Sequence, residues 1–478
     1  MRKILYIILP VLIFAACTKD ISRFNTDTKK PPIVPGSMLF SNATRNIADG
    51  LINASVNINV FRFTTNQWAM AVYQDEAQYN FTTRAIPQAW WTRFYRDVLK
   101  DLNEGAKIIT ADADLNPGVK QNQLAIIDIM SVYAYNILVN TFGDIPYKSA
   151  LDVENLFPSY DDAKTVYADL LKRLAEDIGK LNTASTAFAS ADDVLYKGSV
   201  AKWIKFANTL QLKMGMMMAD VDNGAAAKAA VEAADAKAFT TGADNAFWKY
   251  LPNSPNQSPL YVDIVAGGRS DYVAGNDLMK PLIALNDPRK SLYFGTNDDG
   301  LYAGGSVGEI NTFADFSKPS SKISAADSPY IFMDIVETEF LRAEAKERGY
   351  NVAGTAEEHY NNAITYSILY WGGTAADVTA YLAQPGVAYT TAPAAGGWKE
   401  KIGLQKWIAL YNRPFDAWTE LRRLDFPKLT PVVNAISGFP NRFPYPGNEQ
   451  QLNGTNYTSA AAKMGGDKVE FKLFWDKL

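Results

Sequence analysis

Ile331-Phe332-Met333-Asp334-Ile335-Val336-Glu337-Thr338-Glu339-Phe340-Leu341-Arg342-Ala343-Glu344-Ala345 runs on through Gly349 to Thr355-Ala356-Glu357-Glu358-His359-Tyr360 and closes at Trp371-Gly372-Gly373. In the first half Phe332, Ile335, Val336, Phe340 and Ala343 recur on one face at helical spacing, which predicts an amphipathic helix stopped by Gly349. In the second half, Thr355 to Glu358 has the Ser/Thr-x-x-Glu form of a capping box. In that box each side chain satisfies the other residue's backbone N–H. Tyr360, Ala363, Ile364, Ser367, Ile368 and Trp371 then complete an apolar stripe at i, i+3, i+4, i+7, i+8 and i+11. Two helices joined by a short turn make a tetratricopeptide-like unit, without the full consensus of roughly 34 residues.

Working outward, residues 121–140 are apolar almost all round, as in a buried helix. After a break at Gly143-Asp144-Ile145-Pro146, a second helix is marked by Ala163, Tyr167, Leu170, Leu171, Leu174 and Ile178 on one face. Further helices are expected at 41–54, 90–108, 197–219, 224–237 and 404–424, and no comparable set of alternating strand patterns occurs. The fold class is therefore all-α: tetratricopeptide-like helix pairs with long irregular loop inserts and little β-structure. Residues 37–478 read as a single domain. Its helical scaffold covers about 37–238 and 328–424, a loop-rich insert 239–327, and an irregular C-terminal part 425–478. The insert and residues 380–400 are rich in Gly, Pro, Ser, Asn and Thr, with Tyr and Trp scattered through them. Loops that long on a helical frame are usually functional or mobile.

Composition narrows the function. Of 478 residues 47% are hydrophobic, so the chain buries enough surface to fold, and a net charge of −4 gives no broad cationic face for nucleic acid. One Cys excludes internal disulfides and Cys-rich zinc sites, and one His excludes two-His metal centres. No metal and no cofactor are expected. Gly304-Gly305-Ser306-Val307-Gly308 matches the G-x-S-x-G nucleophile elbow, but its flanks are a Gly-rich loop rather than a strand and a helix. His359, the only available imidazole base, sits beside Glu357 and Glu358 near a helix start, where a solvated surface role is expected. Asp112-Ala113-Asp114-Leu115-Asn116 opens like a calcium loop but has Pro117 and Gln123 where Gly and Glu belong, so a turn between helices is expected. Asp298-Asp299-Gly300 reads as a turn as well. No phosphate-binding glycine loop is present. What remains to be given a purpose is the aromatic surplus of 25 Tyr, 24 Phe and 10 Trp.

The N-terminus reads as an export signal. Arg2 and Lys3 precede an uncharged apolar run, Ile4 to Ala16, too short to cross a hydrocarbon core of about 30 Å. Residues 1–16 are thus expected to be a signal peptide. Phe14-Ala15-Ala16-Cys17 resembles a bacterial lipoprotein lipobox, which makes Cys17 the expected lipidation site and 17–36 a lipidated tether. Acyl chains would hold it to a membrane by roughly 0.8 kcal/mol per buried methylene. Thr18-Lys19-Asp20 resembles the signal that sends Bacteroidetes lipoproteins to the outer surface. No later segment approaches a run of about 18 uninterrupted apolar residues.

Asn140-Thr141-Phe142-Gly143-Asp144-Ile145-Pro146-Tyr147 is similar to the G-D-I-P-Y stretch of the SusD/RagB family of nutrient-binding lipoproteins, in its SusD-like branch. Glu337 to Ala345, continuing to Arg348-Gly349-Tyr350, is similar to its AE…AEA…RG helix, although Val336 stands where Ala is usual. Gln405-Lys406-Trp407-Ile408-Ala409-Leu410 leading into Trp418-Thr419-Glu420-Leu421-Arg422-Arg423 resembles a further signature, and Pro440-Asn441-Arg442-Phe443-Pro444-Tyr445-Pro446 resembles the family's tail. Physically these residues read as structure: helical carboxylates and arginines that fix packing, and tryptophans at core spacing.

The resemblance implies a non-enzymatic receptor on four tetratricopeptide-like helix pairs. Such a receptor is lipid-anchored in the outer membrane, faces outward, and serves a SusC-like, TonB-dependent transporter as a lid. It would deliver a glycan, or in some members a peptide. Sugars have apolar C–H faces that stack on aromatic rings, so a site needs exposed rings in loops. Trp68, Tyr73, Tyr79 and Arg84 lie in a polar N-terminal stretch, at a position resembling one where family members hold ligand. Trp248, Tyr250, Tyr261, Tyr272, Tyr293 and Tyr302 lie in the insert. These ten are the candidate ligand contacts, with Trp68→Ala and Trp248→Ala expected to abolish binding.

Overall fold

A computed structural model of the chain describes residues 34–477, so the signal peptide, Cys17 and all but the end of the tether lie outside the described residues. From Gly36 onward the chain forms one compact unit. Its first helix, α1 (Gly36–Ile52), buries Phe40, Ala43, Ile47, Ala48 and Leu51. A single turn α2 (Phe61–Thr64) and strand β1 (Trp68–Met70) lead to α3. This helix is built from Ile86–Thr92, a π-wound stretch Arg93–Leu99, and Lys100–Ala111. α1 and α3 come into close contact where Gly36 meets Gly105: a Cβ on Gly36 would stand 2.7 Å from the Gly105 carbonyl oxygen. Side chains at either position would force the helices apart.

α4 (Pro117–Phe142) starts at an Asn116 cap that accepts from the Gly118 and Val119 N–H groups. By length and composition it could cross a membrane, yet 83% of its apolar window is buried inside the fold. It packs on α5 (Ala163–Lys180), capped by Asp162, and α6 (Val200–Met217) packs on α7 (Ala225–Ala234). The insert follows: β2 (Ala246–Trp248), the short α8 (Pro259–Tyr261 with π-turn Val262–Ala266), β3 (Tyr272–Ala274), α9 (Asn276–Ala284) and α10 (Lys290–Tyr293). Strand β4 (Tyr330–Met333) then leads into the pair read first from the sequence, α11 (Ile335–Glu347) and α12 (Ala356–Trp371). Gly349 ends the first in a left-handed conformation, and the Thr355–Glu358 capping box opens the second. Beyond lie α13 (Ala375–Leu382), α14 (Trp398–Ala409), α15 (Pro414–Leu424), α16 (Gly447–Leu452) and α17 (Gly454–Lys463). Helix pairs α1/α3, α4/α5, α6/α7 and α11/α12 are the scaffold, so the all-α, tetratricopeptide-like class holds.

Four details differ from expectation. Phe332 belongs to β4, not to the helix after it, because β4 pairs antiparallel with β2 through Phe247–Ile331 and Trp248–Tyr330. The helix expected over 404–424 is two, broken at Leu410–Arg413 with Pro414 opening the second. The insert is no bare loop: β3 pairs antiparallel with β1, Met70 opposite Tyr272, and locks it to the scaffold. The C-terminal part carries α16 and α17.

His359 is buried rather than solvated. Its Nδ1 lies 2.8 Å from Glu339 and its Nε2 2.7 Å from the Ala353 carbonyl. Burial alone would lower its pKa, but these two acceptors outweigh that and raise it. Both ring nitrogens are thus engaged, and the imidazole ties α12 to α11.

The family-like motifs form a buried charge network. Arg423 binds Glu344 through both terminal nitrogens and Glu420 at 2.6 Å, while Lys406 reaches Glu420 at 2.9 Å. Arg342 joins Glu339 and Asp235, each at 2.7 Å. Arg422 takes no carboxylate: it stacks on Trp418 and donates to the carbonyls of Asn140 and Asn441. Tyr445 donates to the Asp144 carbonyl at 2.8 Å and Arg442 to Phe142 O at 3.0 Å, so the first and last motifs meet in space.

Candidate functional site

Six of the ten candidate contacts are packed in the core. Trp68 is fully buried, its ring 5.4 Å from Tyr272 and its Nε1–H donating to the Tyr411 hydroxyl at 3.1 Å. Tyr272 donates to the Ala54 carbonyl, and Tyr293 stacks on Tyr411 with ring centres 4.2 Å apart. Tyr250 donates to Asp49 at 2.7 Å; Tyr79 packs edge-on against Phe439, and Trp248 is buried in β2. For Trp68, Tyr272 and Trp248 the physical reason is strand pairing. The β1–β3 and β2–β4 ribbons lay the insert on the scaffold, and their rings fill the seam. A ring without exposed surface cannot stack on a sugar, so these six leave the candidate set.

Tyr73 and Arg84 are brought together. Tyr73 is 53% exposed, and the Arg84 guanidinium lies 5.5 Å over its ring, a cation–π arrangement. From beneath, the fully buried Glu76 carboxylate pairs with Arg84, and burial raises the Glu76 pKa against that pull. Tyr73, Tyr79 and Ala85 all have left-handed backbone, with φ of 64°, 70° and 51°. Non-glycine residues adopt it at a cost of about 1–3 kcal/mol each, and such strain concentrates at ligand sites. Tyr261 and Tyr302 are half-buried, the latter with Lys290 Nζ 4.9 Å over its ring.

Three segments support this pair. Asn311 Nδ2 donates to the carbonyls of Met70, Ser306 and Glu309, and its Oδ1 accepts from the Ser306 N–H. Gln78 donates to the Gly308 carbonyl at 2.7 Å, and the Ile436 N–H donates back to Gln78 O at 3.0 Å. The Val433 N–H donates to Val307 O. The G-x-S-x-G match is therefore the crossing point of loops 71–85, 303–311 and 428–439, with no strand–helix elbow. Gly308 is needed there, because a Cβ would stand 2.1 Å from the Val433 carbonyl oxygen. Val72, Ile310, Val433 and Ile436 stand exposed on the same three loops, Ile310 at 75%. These aliphatics and Glu76 carry neither motif nor period, so nothing in the sequence marks them.

The space among Asn66, Asp277, Gly305, Thr430 and Val433 holds only about 40 Å³, while Arg84 and Ala85 border a hollow of about 440 Å³ that Gln88, Thr92, Arg93 and Arg96 also line. Among the described residues no group of three His, Cys, Asp or Glu could hold a metal ion.

The chain matches the SusD-like family described as "starch-binding associating with outer membrane" over residues 27–446, and it belongs to that family. Membership places it among non-catalytic binding proteins. It is similar in fold to a solved chitin-binding protein, at 24% identity and a TM-score of 0.79, covering 93% of this chain and 99% of that one. A SusD homolog from Bacteroides uniformis is 26% identical, with a TM-score of 0.76 and 92% and 99% coverage. A chitin-binding SusD homolog from Flavobacterium johnsoniae is 22% identical, with a TM-score of 0.76 and 91% and 98% coverage. No curated relative matches the chain.

Proposed function

We propose that this protein captures an oligosaccharide on the three-loop platform around Tyr73 and delivers it to a SusC-like, TonB-dependent transporter. Acyl chains on Cys17 would hold it in the outer membrane facing outward. The observation that carries the reading is the exposed Tyr73 ring, held by a strained loop and backed by Arg84. The ring offers an apolar face to sugar C–H groups and the guanidinium offers donors to hydroxyls. Tyr261 and Tyr302 are kept as further candidate contacts. The family description and the chitin-binding relatives support a glycan as the ligand class. The exposed aliphatics Ile310 and Ile436 favour a second reading, in which the same platform takes the apolar side chains of a peptide.

Titration calorimetry of the soluble chain from Gly36 with maltoheptaose, chitohexaose and a mixed peptide digest separates these readings. Heat with one of the sugars and no product by chromatography supports glycan capture. Binding confined to the digest moves the assignment to peptide, and released product from any of them overturns the receptor reading.

A further inference from the structure

The hollow beside Arg84 has a chemistry of its own. Its volume of about 440 Å³ lies within the roughly 300–1,000 Å³ usual for ligand sites. One wall is α3, which contributes Gln88, Thr92, Arg93 and Arg96; the other is Asn57 and Ile58, from the segment between α1 and α2. No aromatic ring lines it, so ring stacking stays with Tyr73. Arg84 belongs to both places: it lines the hollow, and its guanidinium lies 5.5 Å over the Tyr73 ring.

Three arginines line the hollow, and two of them are matched. Arg84 is paired with the buried Glu76, and the exposed Arg96 with its neighbour Asp97, through Nε at 2.6 Å and Nη2 at 3.1 Å. Arg93 has no carboxylate partner among the described residues. Its Nη1 donates to the Asn46 carbonyl at 3.2 Å and to Asn46 Oδ1 at 3.3 Å, which leaves Nε and Nη2 unused. Asp49, on the same helix as Asn46, is taken by Arg45 at 3.4 Å and accepts from the Tyr250 hydroxyl at 2.7 Å. The wall therefore carries one positive charge more than its own acids balance. Two amides there are open as well. Asn57 is exposed, and its side chain makes no hydrogen bond among the described residues. Gln88 donates to Thr92 Oγ1 at 3.0 Å, but its Oε1 is buried with no donor. Buried polar atoms are nearly always paired, so an open acceptor in the wall of a hollow is a place for a hydroxyl from outside the protein.

Building on the proposed capture at Tyr73, we infer that this hollow is a subsite for a sugar ring that bears one anionic substituent, a carboxylate or a sulfate. Arg93 meets the charge, because a guanidinium offers paired N–H groups in a fork that fits two oxygens of one such group. Asn57 and Gln88 serve the hydroxyls beside it, and Arg84 spans this ring and the one stacked on Tyr73. A neutral oligosaccharide then binds through the Tyr73 side alone, and more weakly. The gain from the charged ring falls as salt rises.

A microarray of neutral, uronate-containing and sulfated oligosaccharides, probed with the folded chain from Gly36 and followed by calorimetry on the best binder, tests this. The strongest binders are expected to carry a uronate or a sulfate. Carboxyl reduction or desulfation of the best one is expected to cost the wild-type protein about tenfold in affinity, and whichever treatment does so names the substituent. Arg93→Gln is expected to lose about tenfold toward the charged glycan and nothing toward its neutralised form. Tyr73→Ala is expected to weaken both forms alike. Preference for neutral glycans, equal wild-type affinity for the charged and neutralised forms, or a folded Arg93→Gln protein that keeps the preference would each overturn the subsite and leave capture at Tyr73 standing. Absence of binding to every glycan would overturn both.

Discussion

Arginine serves opposite ends in two regions of this molecule. In the scaffold Arg423 is buried between Glu344 and Glu420, paired with both carboxylates and closed to solvent. On the platform Arg84 is one-third exposed, with one buried partner, Glu76, and one exposed ring, Tyr73. The first arrangement falls in a family-like motif and touches no surface; the second falls in no motif and is the site candidate. The motifs of this chain therefore report how helices are joined, and the binding chemistry sits where that joining stops.

The largest expected effect tests the scaffold side. Arg423→Ala removes the cation shared by two buried carboxylates, leaving Glu344 with Arg348 alone and Glu420 with Lys406 alone, and is expected to cost on the order of 3 kcal/mol in urea unfolding. Acid tests the same region more gently. Burial alone would raise the Glu344 carboxyl, but Arg423 outweighs it and holds the pKa at about 2, from an ordinary 4.5. A depressed carboxylate contributes stability that is complete above the unfolded value and lost as pH falls through the folded one. Wild type is thus expected to lose on the order of 3 kcal/mol between about pH 5 and pH 2 through this group, and Glu344→Gln to show a correspondingly flatter profile. An equally steep profile in the variant would locate the acid sensitivity elsewhere.

Smaller effects sharpen the contrast at the seam between regions. Trp68→Phe keeps most of the packing but gives up the bond to Tyr411, and is expected to cost about 1–3 kcal/mol of stability while leaving ligand affinity intact. Loss of affinity in a folded Trp68→Phe protein would return Trp68 to the site.

The scaffold was legible because its signals are local. The α12 stripe and the Thr355 cap are written in consecutive residues, and the four helix pairs follow from such periods. The platform was legible only in part. Tyr73 and Arg84 were found by residue type, yet the same reasoning selected Trp68, Tyr272 and Tyr293. Which rings stay exposed is decided by the pairing of β1 with β3, strands about two hundred residues apart that are too short to show alternation. His359 was misplaced for a related reason, because its partner Glu339 lies on another helix.

The measurement closest to the central claim pairs affinity with stability in Tyr73→Ala. An exposed residue is expected to change unfolding free energy by no more than about 0.5 kcal/mol. Loss of its stacking and cation–π contacts should weaken the bound oligosaccharide about tenfold. A Tyr73→Ala protein with unchanged stability and unchanged oligosaccharide affinity would contradict the platform as the binding site.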